Sequence, residues 1–326
     1  MTEQGLWCPA GDFHIDPWRA VDRALITHCH SDHARRGSRT YHAAASGTGL
    51  LRRRLGDDAT IIPHAFGERL AMGEAIVSFH PAGHLLGSAQ IRVEVGGEVW
   101  VVSGDYKRDP DPSCEPFEVV PCDVFITEAT FALPVYCWEP AGEVMDELLA
   151  WWQETAAAGG NAVLLCYAVG KAQRVLAELG RRTGRTVLVH GAIDAMLEPY
   201  REAGAPLVPT RPVGPRVRGE RFAGELVIAP PSAFGSPWLR RFGDPATAFA
   251  SGWMRVRGHR RRRGFDVGFV LSDHADWPGL LRTIRETGAR RVFATHGYSD
   301  TLARYLCNQG LVARPLQTLF EGESEA

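Results

Sequence analysis

The run Thr27-His28-Cys29-His30-Ser31-Asp32-His33 places four potential metal ligands, His28, His30, Asp32 and His33, within six residues. It follows directly on residues 24–26, a short apolar run with the composition of a buried strand. Side chains at a strand end are held rigidly. On extended backbone His28 and His30 point the same way and can share one ion, while Cys29 between them points away. Asp32 and His33 fall where the chain turns towards Ala34-Arg35-Arg36, where they can face a second ion.

The same placement recurs along the chain. An apolar run over 75–80 leads into Pro81-Ala82-Gly83-His84. Runs over 90–95 and 98–102 alternate in polarity around Gly96-Gly97, a hairpin signal, and the second leads to Asp105. Residues 124–127 end at Glu128. Late in the chain a strand over 265–271 leads to Ser272-Asp273-His274, and one over 291–294 to Thr295-His296-Gly297. A single such residue is an ordinary cap or surface group, but repetition at strand ends is how a sheet edge assembles a site. Residues 6–16 read as a short strand and turn in which His14 and Asp16 alternate with Phe13 and Ile15, and both are expected to support the site rather than ligate. Arg52-Arg53-Arg54 reads as a solvated helix face.

From Glu139 the pattern changes to helix over 140–159, strand over 162–166, helix over 171–182, strand over 186–189 and helix over 193–203. That alternation predicts a parallel sheet with crossover helices. If the late histidines join the early cluster, this α/β segment is an insertion.

The chain has 326 residues, enough for two domains. Its formal net charge of −2 excludes no polyanionic partner, and its distribution is uneven. Between Arg211 and Arg263 twelve arginines face only Glu220, Glu225 and Asp244, a basic stretch whose guanidinium groups can bind phosphate bidentately. Trp238 and Trp253 lie within it; core packing is the expected role of both, and base stacking is the alternative. Seven scattered cysteines without a Cys-x-x-Cys pair suit reduced thiols. No apolar run reaches bilayer-spanning length, and Met1-Thr2-Glu3-Gln4-Gly5 lacks the features of a signal peptide, so a cytoplasmic location and no membrane partner are expected.

The order His28-x-His30-x-Asp32-His33, His84, Asp105, His296 resembles the metallo-β-lactamase fold. Glu128 in Thr127-Glu128-Ala129-Thr130, His274 and His296 look like the further motifs of its β-CASP nuclease branch, and Gly170-Lys171-Ala172-Gln173-Arg174 is similar to a helix start in that branch's inserted domain. Residues 6–24 and 105–117 are similar to the bacterial ligase-associated DNA exonucleases. The resemblance implies an α/β fold, an αββα sandwich of residues 1–133 and 265–326, with an inserted α/β domain over 134–264. It implies two divalent metal ions, zinc with manganese as the alternative. His28, His30 and His84 would hold the first, Asp32, His33 and His296 the second, and Asp105 would bridge.

The implied activity is hydrolysis of DNA phosphodiester bonds, as an exonuclease in repair. A metal-bridging hydroxide would attack, His274 would act as general acid oriented by Glu128, and Asp32 would orient the nucleophile. The substrate would be single-stranded or end-containing DNA, with RNA as the alternative substrate and an ATP-dependent DNA ligase and a helicase as functional associates. Lys171, Arg255, Arg257, Arg260 and Arg261 would contact the nucleic acid in a cleft between domains. A small-molecule hydrolase and a catalytically silent scaffold are competing readings; the inserted segment with Glu128 and His274 opposes the first, and the intact ligand set opposes the second.

Overall fold

The computed structural model describes residues 1–215, 221–256 and 264–319. The chain divides into two compact units: Met1–Cys137 with His274–Ala326, and Trp138–Asp273. The second unit thus lies in sequence between the two parts of the first.

The first unit is built on two sheets. One has five strands in the order Leu6–Cys8, Phe13–Ile15, Arg23–Leu25, Thr40–Ala44, Ile61–His64, antiparallel between the first pair and parallel thereafter. The other has seven, in the order Val312–Pro315, Arg291–Thr295, Val124–Glu128, Glu98–Val102, Ala89–Val95, Ala75–Pro81, Leu70–Met72. Phe13, Ile15, Leu25 and Ala44 from the first sheet share one apolar cluster with Met72, Val77, Phe79, Ile91 and Val93 from the second. Burying a large aliphatic or aromatic side chain contributes about 1.5–3 kcal/mol, so this inter-sheet core is a main source of the unit's stability. A second cluster packs Val101, Phe125 and Val292 of the seven-stranded sheet on Leu280, Ile284, Leu302 and Leu306, which come from helices Trp277–Thr287 and Ser299–Asn308. The first of these helices starts at Asp276, whose carboxylate accepts from Gly279 N at 2.9 Å, and stops at Gly288 in the left-handed conformation.

Strand direction in the seven-stranded sheet determines where function can sit. Glu98–Val102, Val124–Glu128 and Arg291–Thr295 are parallel neighbours in register, so their C-terminal ends emerge at one edge. Asp105, Glu128 and His296 therefore leave the sheet side by side.

The second unit holds six parallel strands in the order Thr210–Pro212, Val187–Val189, Leu226–Ala229, Ala162–Leu165, Ala246–Ala250, Val267–Phe269. Ala162–Leu165 and Leu226–Ala229 are buried at every position, as parallel strands covered on both faces must be. Helix Ala141–Ala157 turns Val144, Met145, Leu148 and Trp152 into the same core as those strands.

The second compact unit spans Trp138–Asp273, where the inserted segment is expected over 134–264, and Val267–Phe269 pairs with Ala246–Ala250 in its sheet. Two expectations change. The helix expected over 193–203 is two, Gly191–Asp194 and Leu197–Glu202. Pro199 has no N–H for the Ala195 carbonyl and its ring crowds that carbonyl, which breaks the helix there. Arg52 and Arg53 are exposed as a solvated face requires, but Arg54 is half-buried and its Nε donates to the Cys29 carbonyl at 3.1 Å.

Candidate metal centre

All seven residues proposed as ligands from the sequence lie in the first unit, and six of them converge. His28, His30, His84 and Asp105 form one group of mutually close ligand atoms, and His33, Asp105 and His296 form another. Asp105 belongs to both. Around the first point His30 Nδ1 lies 3.1 Å from His28 Nε2 and 3.2 Å from His84 Nε2, and Asp105 Oδ2 lies 3.4 Å from His28 Nε2 and 3.9 Å from His84 Nε2. A tetrahedral zinc ion with bonds of about 2.0–2.1 Å requires ligand atoms about 3.3–3.4 Å apart. Three imidazole nitrogens and a carboxylate oxygen at these spacings fit such an ion.

The second point is wider. His33 Nε2 lies 3.5 Å from Asp105 Oδ2, and His296 Nδ1 lies 3.8 Å from Asp105 Oδ1. Asp32 joins on the His33 side, with Oδ2 3.6 Å from Nε2. Buried His33 Nε2, Asp105 Oδ1 and His296 Nδ1 have no hydrogen-bond partner among the described residues. Burying three such atoms is costly unless something coordinates them. The donor set, imidazole and carboxylate, suits zinc and also accommodates manganese.

Surrounding groups aim these ligands. Asp16 Oδ2 sits 2.7 Å from His33 Nδ1, which commits that nitrogen and leaves Nε2 for the centre. The same carboxylate accepts from Thr27 Oγ1 at 2.6 Å, and Asp16 Oδ1 accepts from Thr27 N at 2.8 Å. Ser88 Oγ accepts from His84 N at 3.0 Å and fixes the loop that carries it. Asp16 and His296 have φ of 43° and 58°, a strained conformation that both residue types tolerate better than most. Two glycines permit close approach: a Cβ on Gly104 would lie 2.6 Å from Thr27 Cβ, and one on Gly297 2.5 Å from the Ala129 carbonyl.

Charge follows from this packing. Burial and the neighbouring His33 keep His28 well below the ordinary histidine range, which outweighs Asp105. Burial also disfavours a charged His33, but the carboxylates of Asp105 and Asp16 prevail and hold it well above that range. For Asp105 burial acts upward and is outweighed by His33 and His274, so the carboxyl stays ionised far below its usual value.

Beside the first cluster lies a third group, Asp105, Glu128 and His274. His274 Nδ1 is 2.8 Å from Glu128 Oε2, and Glu128 Oε1 accepts from Tyr106 N at 2.8 Å. The His274 ring lies 4.7 Å from that of His84. Both His274 and Glu128 are buried. The centre is not sealed, because His30, Asp32 and His296 are partly exposed.

The nucleic-acid contacts expected from sequence fare differently. Lys171 is fully buried in the second unit, with Nζ 3.5 Å from Asp273 Oδ2 and 4.7 Å from the centroid of the Tyr167 ring, so it serves as an internal ion-pair partner instead of a surface contact. Arg255 is exposed and pairs with Glu139 at 2.8 Å. Arg257, Arg260 and Arg261 lie outside the described residues. Trp253 is buried, and Trp238 is half-buried against His190 and Phe242, so packing is the role of both. All seven cysteines are free, and burial pushes the Cys29 thiol up to about 12. Among the described residues no helix is long and apolar enough to cross a membrane. The orienting role of Asp16 was only partly foreseen; its signal is that it too stands directly after a strand, Phe13–Ile15.

Comparison with known proteins adds three likenesses. The chain is 32% identical over 313 residues to a probable DNA ligase of Opitutus terrae, covering 95% of this chain and 30% of that protein. It is 30% identical over 195 residues to ribonuclease TTHA0252 of Thermus thermophilus, covering 50% of this chain and 44% of that one. The chain thus spans less than half the length of these curated relatives. A crystal structure of a protein of unknown function from Enterococcus faecalis V583 shares the fold, with a TM-score of 0.61 at 11% identity over 91% of this chain and 79% of that chain. No family model matches.

Proposed function

We propose that this chain is a two-metal nuclease of the β-CASP branch of the metallo-β-lactamase fold, acting on DNA as an exonuclease. The observation that carries the reading is the convergence of His28, His30 and His84 on one point and of His33 and His296 on a second, with Asp105 common to both. The name of one relative, a ribonuclease, supports a nuclease, and the clustered histidines and Asp105 support its dependence on metal. Similarity along 95% of the chain to part of a protein named as a DNA ligase favours DNA and a working association with ligation, to which a helicase would be added in repair. An RNA substrate is the second reading, favoured by the likeness to a ribonuclease over half the chain.

His28, His30, His84 and Asp105 would hold one ion, and Asp32, His33, His296 and Asp105 the other. When bound, such ions lower the pKa of water and stabilise charge on phosphoryl oxygens. The protein's own groups do the rest. Asp16 keeps His33 oriented through its Nδ1, and Asp32, partly exposed at the mouth, is placed to orient the attacking water. Glu128 occupies His274 Nδ1, so Nε2 is the nitrogen that delivers a proton to the departing oxygen. Tyr106 N holds the other Glu128 oxygen and keeps the carboxylate from swinging away.

The test is digestion of matched single-stranded DNA and RNA, labelled in turn at the 5′ and 3′ ends, with zinc or manganese supplied. Stepwise loss of nucleotides from DNA, abolished in Asp105→Ala, is the expected result. Preferential cleavage of RNA would replace DNA as the substrate, and no cleavage of either would refute nuclease function.

A further inference from the structure

Next to the ligand run is a surface recess of about 450 Å³ lined by Trp18, Ser31, Ala34, Arg35, Arg36 and Arg54. Its lining carries three guanidinium groups and no carboxylate. Ser31 stands between His30 and Asp32, and Ala34, Arg35 and Arg36 follow His33, so the recess and the metal centre share one loop. Arg54 reaches that loop from helix Thr48–Leu55 and donates its Nε to the Cys29 carbonyl at 3.1 Å. Arg36 donates its Nε to the Arg54 carbonyl at 3.2 Å. Both side chains are thereby tethered through Nε, which leaves their terminal nitrogens to grip an anion. Among the described residues neither Arg36 nor Arg54 has a carboxylate within ion-pair distance.

The guanidinium groups of Arg36 and Arg54, drawn to one recess whose lining holds no carboxylate, repel one another, and a bound anion relieves that repulsion. The planar fork of arginine matches phosphate oxygens bidentately. Trp18 supplies a flat aromatic wall against which a base or sugar can lie. We infer that this recess is a phosphate subsite, one that seats the backbone phosphate flanking the scissile bond and so sets which linkage lies over the metal centre. This rests on the nuclease reading and adds to it a specific group on the substrate and the residues that hold it. The basic stretch over 211–263 is a separate feature and is not needed for this role.

A charge-removal cycle tests it. Short single strands are made in which the phosphate on one side or the other of the first-cut bond is a neutral methylphosphonate. They are offered to wild type, Arg36→Ala and Arg36→Ala/Arg54→Ala, with metal content measured for each. Wild type should lose about 10- to 100-fold in kcat/KM on one of the two neutral strands, the range expected for losing a charge-assisted hydrogen-bonded contact. The double variant should lose a similar factor on the natural strand, pay little further penalty on the neutral one, and keep its metals. Its binding should also depend less on salt, by about one unit of log–log slope per lost contact. Arg36→Ala leaves the Arg54 to Cys29 bond in place and should show the same pattern in weaker form, even if the double variant folds poorly. Wild-type indifference to both neutral strands, or variants that still pay the full wild-type penalty, would overturn the subsite while leaving the nuclease reading intact. Failure of wild type to cut any strand would instead overturn the nuclease reading and this inference with it.

Discussion

Replacing His274 by alanine separates chemistry from architecture. In the structure His274 Nδ1 is the 2.8 Å partner of Glu128 Oε2, and both side chains are buried. Removing the imidazole strands one oxygen of a buried carboxylate, while Tyr106 N still holds the other at 2.8 Å. Breaking a buried pair in this way costs about 3–5 kcal/mol, and the remaining hydrogen bond places the expected loss of stability at the lower end, about 3 kcal/mol. General acid catalysis contributes about 10²–10⁴-fold, so kcat on a natural strand should fall by that factor. The assay that distinguishes the two roles varies the leaving group. A nucleoside p-nitrophenyl phosphate releases p-nitrophenolate, which needs no proton to depart, so the variant should lose less than about tenfold on it, while the natural strand, whose leaving alkoxide needs one, bears the full loss. Equal losses on both substrates, with two metals still bound, would refute the proton-donor role and leave His274 a structural partner of Glu128.

Asp16→Asn should weaken metal binding at the His33 side by about 10–100-fold, read by competition with a chelating dye, since the Asp16 carboxylate is what orients His33. Phe79→Ala should cost about 3–5 kcal/mol in denaturant unfolding, because Phe79 is fully buried in the inter-sheet core. His42 stacks on His64 with a 2.9 Å contact between ring nitrogens, and burial, helped by His64, pushes its pKa down to about 4. The unfolded chain takes up that proton near pH 6.5 and the folded one only near 4, so this stability is intact above pH 6.5 and is lost as pH falls through that window. The loss is at most about 3 kcal/mol, reduced by solvent screening, and His42→Gln should flatten the unfolding free energy between those pH values.

The site was more legible in the sequence than its surroundings. His28, His30, His84, Asp105 and His296 announce themselves because each follows an apolar run, and a strand end is a local property. Glu128 and His274 lie 146 positions apart, and while Glu128 ends a strand of the seven-stranded sheet, the strand before His274, Val267–Phe269, belongs to the other unit's sheet, so their pairing is not a local property. Lys171 is a second such case. The resemblance implies that it contacts the nucleic acid, but Asp273, 102 positions away, supplies the buried counter-charge, and no local pattern reveals a partner at that distance. Arg54 was read with Arg52 and Arg53 as one solvated face, although only helical phase against the loop at Cys29 separates it from them. The pairing of Val267–Phe269 with Ala246–Ala250 is likewise a long-range choice that no local pattern reveals.

The most direct test of the paired centre is to count metal ions per chain by elemental analysis in the wild type, His30→Ala, His296→Ala and Asp105→Ala. The geometry predicts two ions in the wild type, about one in each histidine variant because each removes a ligand from a different cluster, and fewer than one in Asp105→Ala, which serves both. A wild type that binds a single ion or none, or an Asp105→Ala variant that retains two, would contradict a two-metal site joined through that carboxylate.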